Sequence, residues 1–277
     1  MFHFPNFKAL VASCLFLTLM PMPFSSAAEV STNIPASLAD DSSAFWKAAM
    51  EEFYGPYDRK NKCWIGQSKD GRHCMRPIKM EFVTENSRKL RYLVFGGSTL
   101  GDDGLPMQCH ACVGRVGFVS LAEGYETFSI VAKGDLYETL GGWGDAPAEE
   151  SFELREIGPN SNLGWTISGA YSGMGVTSTW FDIYGISAGT FYHLGLIPTG
   201  SNDDGNCENG KIFVDGGPCT HYSYEHRFLS QGNASFYPIL LDEFGHKLGV
   251  PINATHRIEF DKTTFRYAVP DALQNEN

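Results

Sequence analysis

From Ile78 onward the apolar residues of this chain recur at every second position, and glycine-bearing turns cut the pattern into short pieces. Met80 and Phe82, then Leu90, Tyr92 and Val94, alternate with polar neighbours, which places them on one face of an extended strand. Val116 to Leu121 and Phe128 to Val131 read as a hairpin turning at Glu123-Gly124, and Phe152 to Ile157 alternates strictly before a turn at Gly158-Pro159-Asn160. Trp180 to Ile186 and Thr190 to Ile197 flank Ser187-Ala188-Gly189 as a second hairpin. Phe236 to Leu241 is a further strand, and Ile258 to Phe260 faces Phe265 to Tyr267 across Asp261-Lys262-Thr263. No strand–helix–strand rhythm interrupts this series. The expected fold is mainly β, an antiparallel sandwich, barrel or propeller-like meander with one N-terminal helix. In that helix Ser42 or Ser43 is the cap, Phe45, Trp46, Ala49, Met50 and Phe53 share a face, and Gly55-Pro56 is the stop.

The amino terminus has the anatomy of a secretory signal. Lys8 precedes an apolar run from Ala9 to Met20, and small residues through Ser26, Ala27 and Ala28 suit a cleavage site. The run is shorter than the roughly 20 residues a spanning helix needs. The organisation expected is a signal over 1–28 and a single exported β-rich domain over 29–277, with a candidate internal boundary at 199–218 and a polar leader at 29–41 that lacks regular structure. About 250 residues suffice for one large core. The mature chain is slightly more acidic than the formal −11 of the whole, because Lys8 is lost with the signal. An acidic surface without a basic stripe argues against nucleic acid and against anionic membranes.

Export makes the cysteines a covalent framework. Cys63, Cys74, Cys109, Cys112, Cys207 and Cys219 remain after the signal, and of the 15 pairings six thiols allow, proximity favours Cys63–Cys74, Cys109–Cys112 and Cys207–Cys219. Cys109-His110-Ala111-Cys112 also has the spacing of a thiol–disulfide exchange motif. Such a motif is activated when it opens a helix, whereas Val113-Gly114-Arg115-Val116 continues as a strand. A redox protein using Cys109, His110 and Cys112 is therefore the alternative function and a structural bridge the leading one.

Two glycine-rich stretches carry exposed-type aromatics. Gly141-Gly142-Trp143-Gly144-Asp145 and the loop from Gly169 to Gly175 offer Trp143, Asp145, Tyr171 and Met174 as ligand- or partner-binding residues. Asn202, Asp204, Asn206 and Glu208 alternate as calcium-type oxygens do, and they support a calcium-dependent adhesion or binding module as a second alternative. The spacing fails the helix–loop–helix calcium pattern because Cys207 stands where glycine belongs. No nucleophile elbow and no His-Glu-X-X-His pair is present, so no cofactor, metal or catalytic set is assigned. Asn233-Ala-Ser235 and Asn253-Ala-Thr255 are glycosylation acceptor patterns.

Cys109-His110-Ala111-Cys112 before a β-run, Gly141-Gly142-Trp143-Gly144, Ile157-Gly158-Pro159 and Ile258-Glu259-Phe260-Asp261-Lys262 together resemble a group of uncharacterised secreted bacterial proteins. The resemblance spans about residues 90–270 and implies a bacterial envelope or secreted β protein with no established activity. The expected function is a non-catalytic exported or periplasmic β-domain that binds a protein or small ligand in the cell envelope.

Overall fold

The computed structural model describes residues 30–85, 87–213, 216–230 and 235–274. The signal reading over 1–28 and the acceptor Asn233 lie outside these residues. The chain is mainly β, built from two large antiparallel sheets with few helices.

The first sheet takes β1 (Val30–Pro35), β2 (Tyr57–Asp58), β3 (Cys63–Ser68), β4 (Gly71–Glu85), β5 (Arg88–Thr99), β6 (Gly114–Glu123), β7 (Thr127–Lys133) and β8 (Glu138–Thr139). Its order is β1-β7-β6-β5-β4-β3-β2, with β8 on β6. The supposed leader at 29–41 is thus partly a strand, because β1 gains its hydrogen bonds from β7, nearly a hundred residues away in sequence. The stretch from Tyr57 to Met75, which has turn chemistry, is largely hairpin: β3 and β4 pair from Trp64↔Met75 to Ser68↔Gly71.

Helix α1 (Ser42–Tyr54) lies on the outer face of this sheet. Its cap is Asp41, one residue before the serines, whose Oδ1 accepts from the Ala44 amide at 3.0 Å. Phe45, Ala49, Met50 and Tyr54 are buried, and Phe95 of β5 meets Trp46, Phe53 and Tyr54 at ring distances of 5.7, 5.7 and 5.2 Å. β5 therefore buries both faces, Leu93 and Phe95 under the helix and Tyr92 and Val94 toward the second sheet.

The second sheet contains β9 (Phe152–Gly158), β10 (Asn162–Gly173), β11 (Val176–Ser187) and β12 (Thr190–Asn202). After the short pair β13 (Cys207–Glu208) and β14 (Lys211–Ile212), it continues with β15 (His221–Phe228), β16 (Ile239–Lys247) and β17 (Val250–Ile258). The order is β17-β16-β15-β12-β11-β10-β9, so the sheet runs across the 199–218 stretch. β12 and β15 are paired only from Gly200↔Ser223 to Asn202↔His221. Beyond that contact the two limbs enclose Phe181, Ile183, Leu194, Leu241 and Ile258. The tail closes with β18 (Phe260–Asp261), β19 (Arg266–Tyr267) and α2 (Asp271–Gln274), Phe260 pairing with Tyr267 as the alternation implies.

The sheets face each other through Val94, Val116 and Phe118 on one side and Phe152, Trp165, Ile167 and Tyr184 on the other. Burying this much aromatic surface is the main stabilising contribution at the interface. Cys63–Cys74, Cys109–Cys112 and Cys207–Cys219 are bridged, the pairing that proximity favours. No described helix is long and apolar enough to cross a membrane.

Candidate functional site

The β10–β11 ribbon is longer than the sheet that covers it. Cross-strand partners share a face, so Trp165↔Tyr184, Ile167↔Asp182, Gly169↔Trp180 and Tyr171↔Ser178 form one continuous inner row. The first two pairs lie under the first sheet. The last two extend past it, where only loops overhang.

Two glycines shape that extension. A side chain at Gly169 would come within 2.7 Å of the Trp180 indole, and one at Gly173 within 2.6 Å of the Tyr171 hydroxyl. Each ring thus lies over a glycine of its own ribbon, and both rings border a common cleft. Tyr171 is consequently a strand residue, not part of a glycine loop; the chain turns only at Met174-Gly175, both with positive φ.

The overhanging wall is the loop around Trp143, and it is clamped. The Gly144 amide donates to the Cys112 carbonyl at 2.9 Å, the Ser98 hydroxyl to Asp145 Oδ1 at 2.8 Å, and the Asp145 amide to the Gly142 carbonyl at 3.1 Å. Gly144 has φ 88°, and a Cβ there would stand 1.9 Å from the Met107 carbonyl oxygen. Trp143 itself sits at φ 58° with its side chain 64% exposed. An exposed tryptophan held in left-handed backbone by its surroundings is the kind of strain that clusters at binding sites.

The Cys109–Cys112 bridge closes a β-turn, with the Cys112 amide donating to the Cys109 carbonyl at 3.0 Å. The turn runs into β6 and not into a helix, so no helix N-terminus stands behind either sulfur. Its exposed tip carries His110, whose ring meets Trp143 at 4.8 Å and Tyr171 at 6.5 Å, edge-on to both.

Between these elements lies a cleft of about 490 Å³. His110, Trp143, Tyr171 and Trp180 line it, with Leu140 and Ile167 as aliphatic wall and Asp182 among its polar groups. Asp182 is buried; its Oδ2 accepts from the Trp180 indole N–H at 3.2 Å and its Oδ1 from His193 Nε2–H at 2.8 Å. Of the four binding residues expected from sequence, Trp143 and Tyr171 are thus brought together. Asp145 is not on the cleft but anchors its loop, and Met174 projects into solvent at 96% exposure. Sequence reasoning missed Trp180, Asp182 and the place of His110 on the cleft. The available signal was Asp182, a carboxylate inside the apolar run Phe181-Asp182-Ile183.

Two of the four calcium-type residues, Asn202 and Asp204, use an oxygen in other contacts. Asn202 Oδ1 accepts from the Asp204 amide, Asn206 donates its side-chain amide to the Met174 carbonyl at 2.7 Å, and Asp204 faces His221 at 3.1 Å, while Glu208 stands exposed on β13. Asp203 with Cys207 and Cys219 makes the one cluster of acids, thiols or imidazoles at ligand spacing among the described residues, but these two sulfurs are bonded to each other. The second acceptor, Asn253, is exposed on β17. Compared with family models, curated proteins and solved structures, the chain matches none.

Proposed function

We propose that this protein is a non-catalytic ligand-binding β-domain of the cell envelope whose ligand seat is the cleft between the Trp143 loop and the β10–β11 ribbon. The observation that carries the reading is convergence. Segments around residues 110, 143, 171 and 180 supply aromatic rings to one concavity of about 490 Å³, the size range of small-molecule sites. Apolar walls with a few placed polar groups are what such sites require. Export is supported by the signal-like amino terminus and by three bridges that need an oxidising compartment.

The test is a small-molecule library screened by ligand-detected NMR against the disulfide-intact protein and a Trp143→Ala/Tyr171→Ala variant. Hits confined to the native protein are the expected result. Hits that survive in the variant would move the seat elsewhere. Thiol exchange at Cys109–Cys112 is the competing reading, and it has one specific support, the exposure of Cys109 and His110 at the cleft rim. A Cys109 thiol with an ordinary pKa in the reduced protein counts against it.

A further inference from the structure

We propose that the cleft is selective for a quaternary ammonium group, an inference that rests on reading this cleft as the ligand seat. Four aromatic rings line it, those of His110, Trp143, Tyr171 and Trp180, and among the described residues neither lysine nor arginine does. Indole and phenol faces attract cations through their quadrupoles, most strongly when the site is partly desolvated. Trp180 and Tyr171 lie over Gly169 and Gly173, and both line the cleft.

The polar atoms decide which cation. Among the described residues Asp182 is the one carboxylate on the lining, and both its oxygens already accept a hydrogen bond, from Trp180 and from His193. It supplies negative charge, but with both oxygens engaged and only 8% of its side chain exposed it presents little surface from which to replace the hydration of an N–H donor. A primary ammonium or a guanidinium entering here would give up its hydrogen bonds to water for only the few that the Ser151, Ser168 and Ser172 hydroxyls offer. A tetra-alkylated nitrogen has none to lose and needs only charge and polarizable faces. The net charge of −11 adds a favourable long-range field. The volume exceeds that of the head group, which leaves room for an attached chain along Leu140 and Ile167.

The experiment titrates choline, its uncharged carbon isostere 3,3-dimethyl-1-butanol, methylammonium and methyl β-glucoside into the disulfide-intact chain. Heat is measured together with the indole N–H resonances of Trp143 and Trp180. Choline is expected to bind about tenfold or more tightly than the isostere, with methylammonium weaker than choline and both indole signals shifted. Trp143→Ala, an exposed change that leaves the fold in place, should remove most of this preference, and Asp182→Asn should weaken choline while sparing the isostere. Equal binding of choline and isostere would overturn the charge argument but leave the cleft as an apolar seat. Binding of the glucoside alone would overturn it in favour of a sugar, again leaving the seat. If no probe moves either indole signal, the ammonium assignment falls, and the library screen decides separately whether the cleft binds anything.

Discussion

The two ends of the β10–β11 ribbon carry similar side chains on one face and meet opposite fates. At one end Trp165 and Tyr184 are sealed, Tyr184 against Phe118 at 4.5 Å and Trp165 beside Phe152 at 6.5 Å. At the other, Trp180 and Tyr171 border a cleft. Residue type does not separate them, since each end has one tryptophan and one tyrosine. What separates them is cover and backbone. β5 and β6 lie over the first pair, while beyond Ile167 the Trp143 loop and the His110 turn reach across, and the rings of Trp180 and Tyr171 lie over Gly169 and Gly173. The open cleft here is a core face that ran out of partner.

The largest test strikes the sealed end. Trp165→Ala removes a fully buried indole from close-packed surroundings, so stability to urea should fall by about 3–5 kcal/mol. A loss below about 1 kcal/mol would mean that this end is no better packed than the cleft, and the comparison would fail. Gly144→Ala probes the clamp. It combines an unfavourable positive φ with a Cβ placed 1.9 Å from the Met107 oxygen. About 1–3 kcal/mol should be lost, together with any ligand response at Trp143, because the loop must move away from the Cys112 carbonyl. Unchanged ligand binding in this variant would show that loop position is not what makes the site.

A third test uses a buried polar ring on β4 of the first sheet, away from the ribbon. His73 is fully buried, between Ser68 Oγ at 2.7 Å and Thr99 Oγ1 at 3.2 Å. Burial, helped by the positive charge of Arg115, lowers its pKa from 6.5 to about 4. The folded protein then binds fewer protons than the unfolded chain in that interval, so stability rises with pH there. The resulting penalty is absent at neutral pH, where both states hold a neutral ring, and it grows as the pH falls from 6.5 toward 4. In His73→Gln the urea midpoint should vary less steeply over that window than in the parent; equal slopes would dismiss His73 as the source.

The limits of the sequence follow the same division. Hairpin pairings at β11–β12 and β18–β19, the helix face and the short-range disulfides were legible, because each depends on residues close together in the chain. The β1 strand was not, since its partner β7 lies far along the sequence and nothing in Val30–Pro35 announces it. The two-faced burial of β5 shows as the run Leu93-Val94-Phe95, which alternation alone reads as one-faced. The end of β10 was hidden by the residues that make the cleft. Gly169 and Gly173 stand where apolar side chains would have revealed the strand's inner face, so 169–175 reads as a loop.

The smallest expected effect on stability is also the sharpest contrast. Trp143 has the same side chain as Trp165, and the same truncation to alanine removes it. Yet 64% of Trp143 is exposed, and it covers no core cluster, so little burial energy is at stake. Its left-handed backbone costs alanine as it costs tryptophan, and the flanking hydrogen bonds use main-chain atoms, Ser98 and Asp145, none of which the change removes. Trp143→Ala should therefore shift stability by no more than about 0.5 kcal/mol while abolishing cleft binding. A destabilisation approaching that of Trp165→Ala would make Trp143 a structural residue, and the aromatic wall of the cleft would then be an extension of the core.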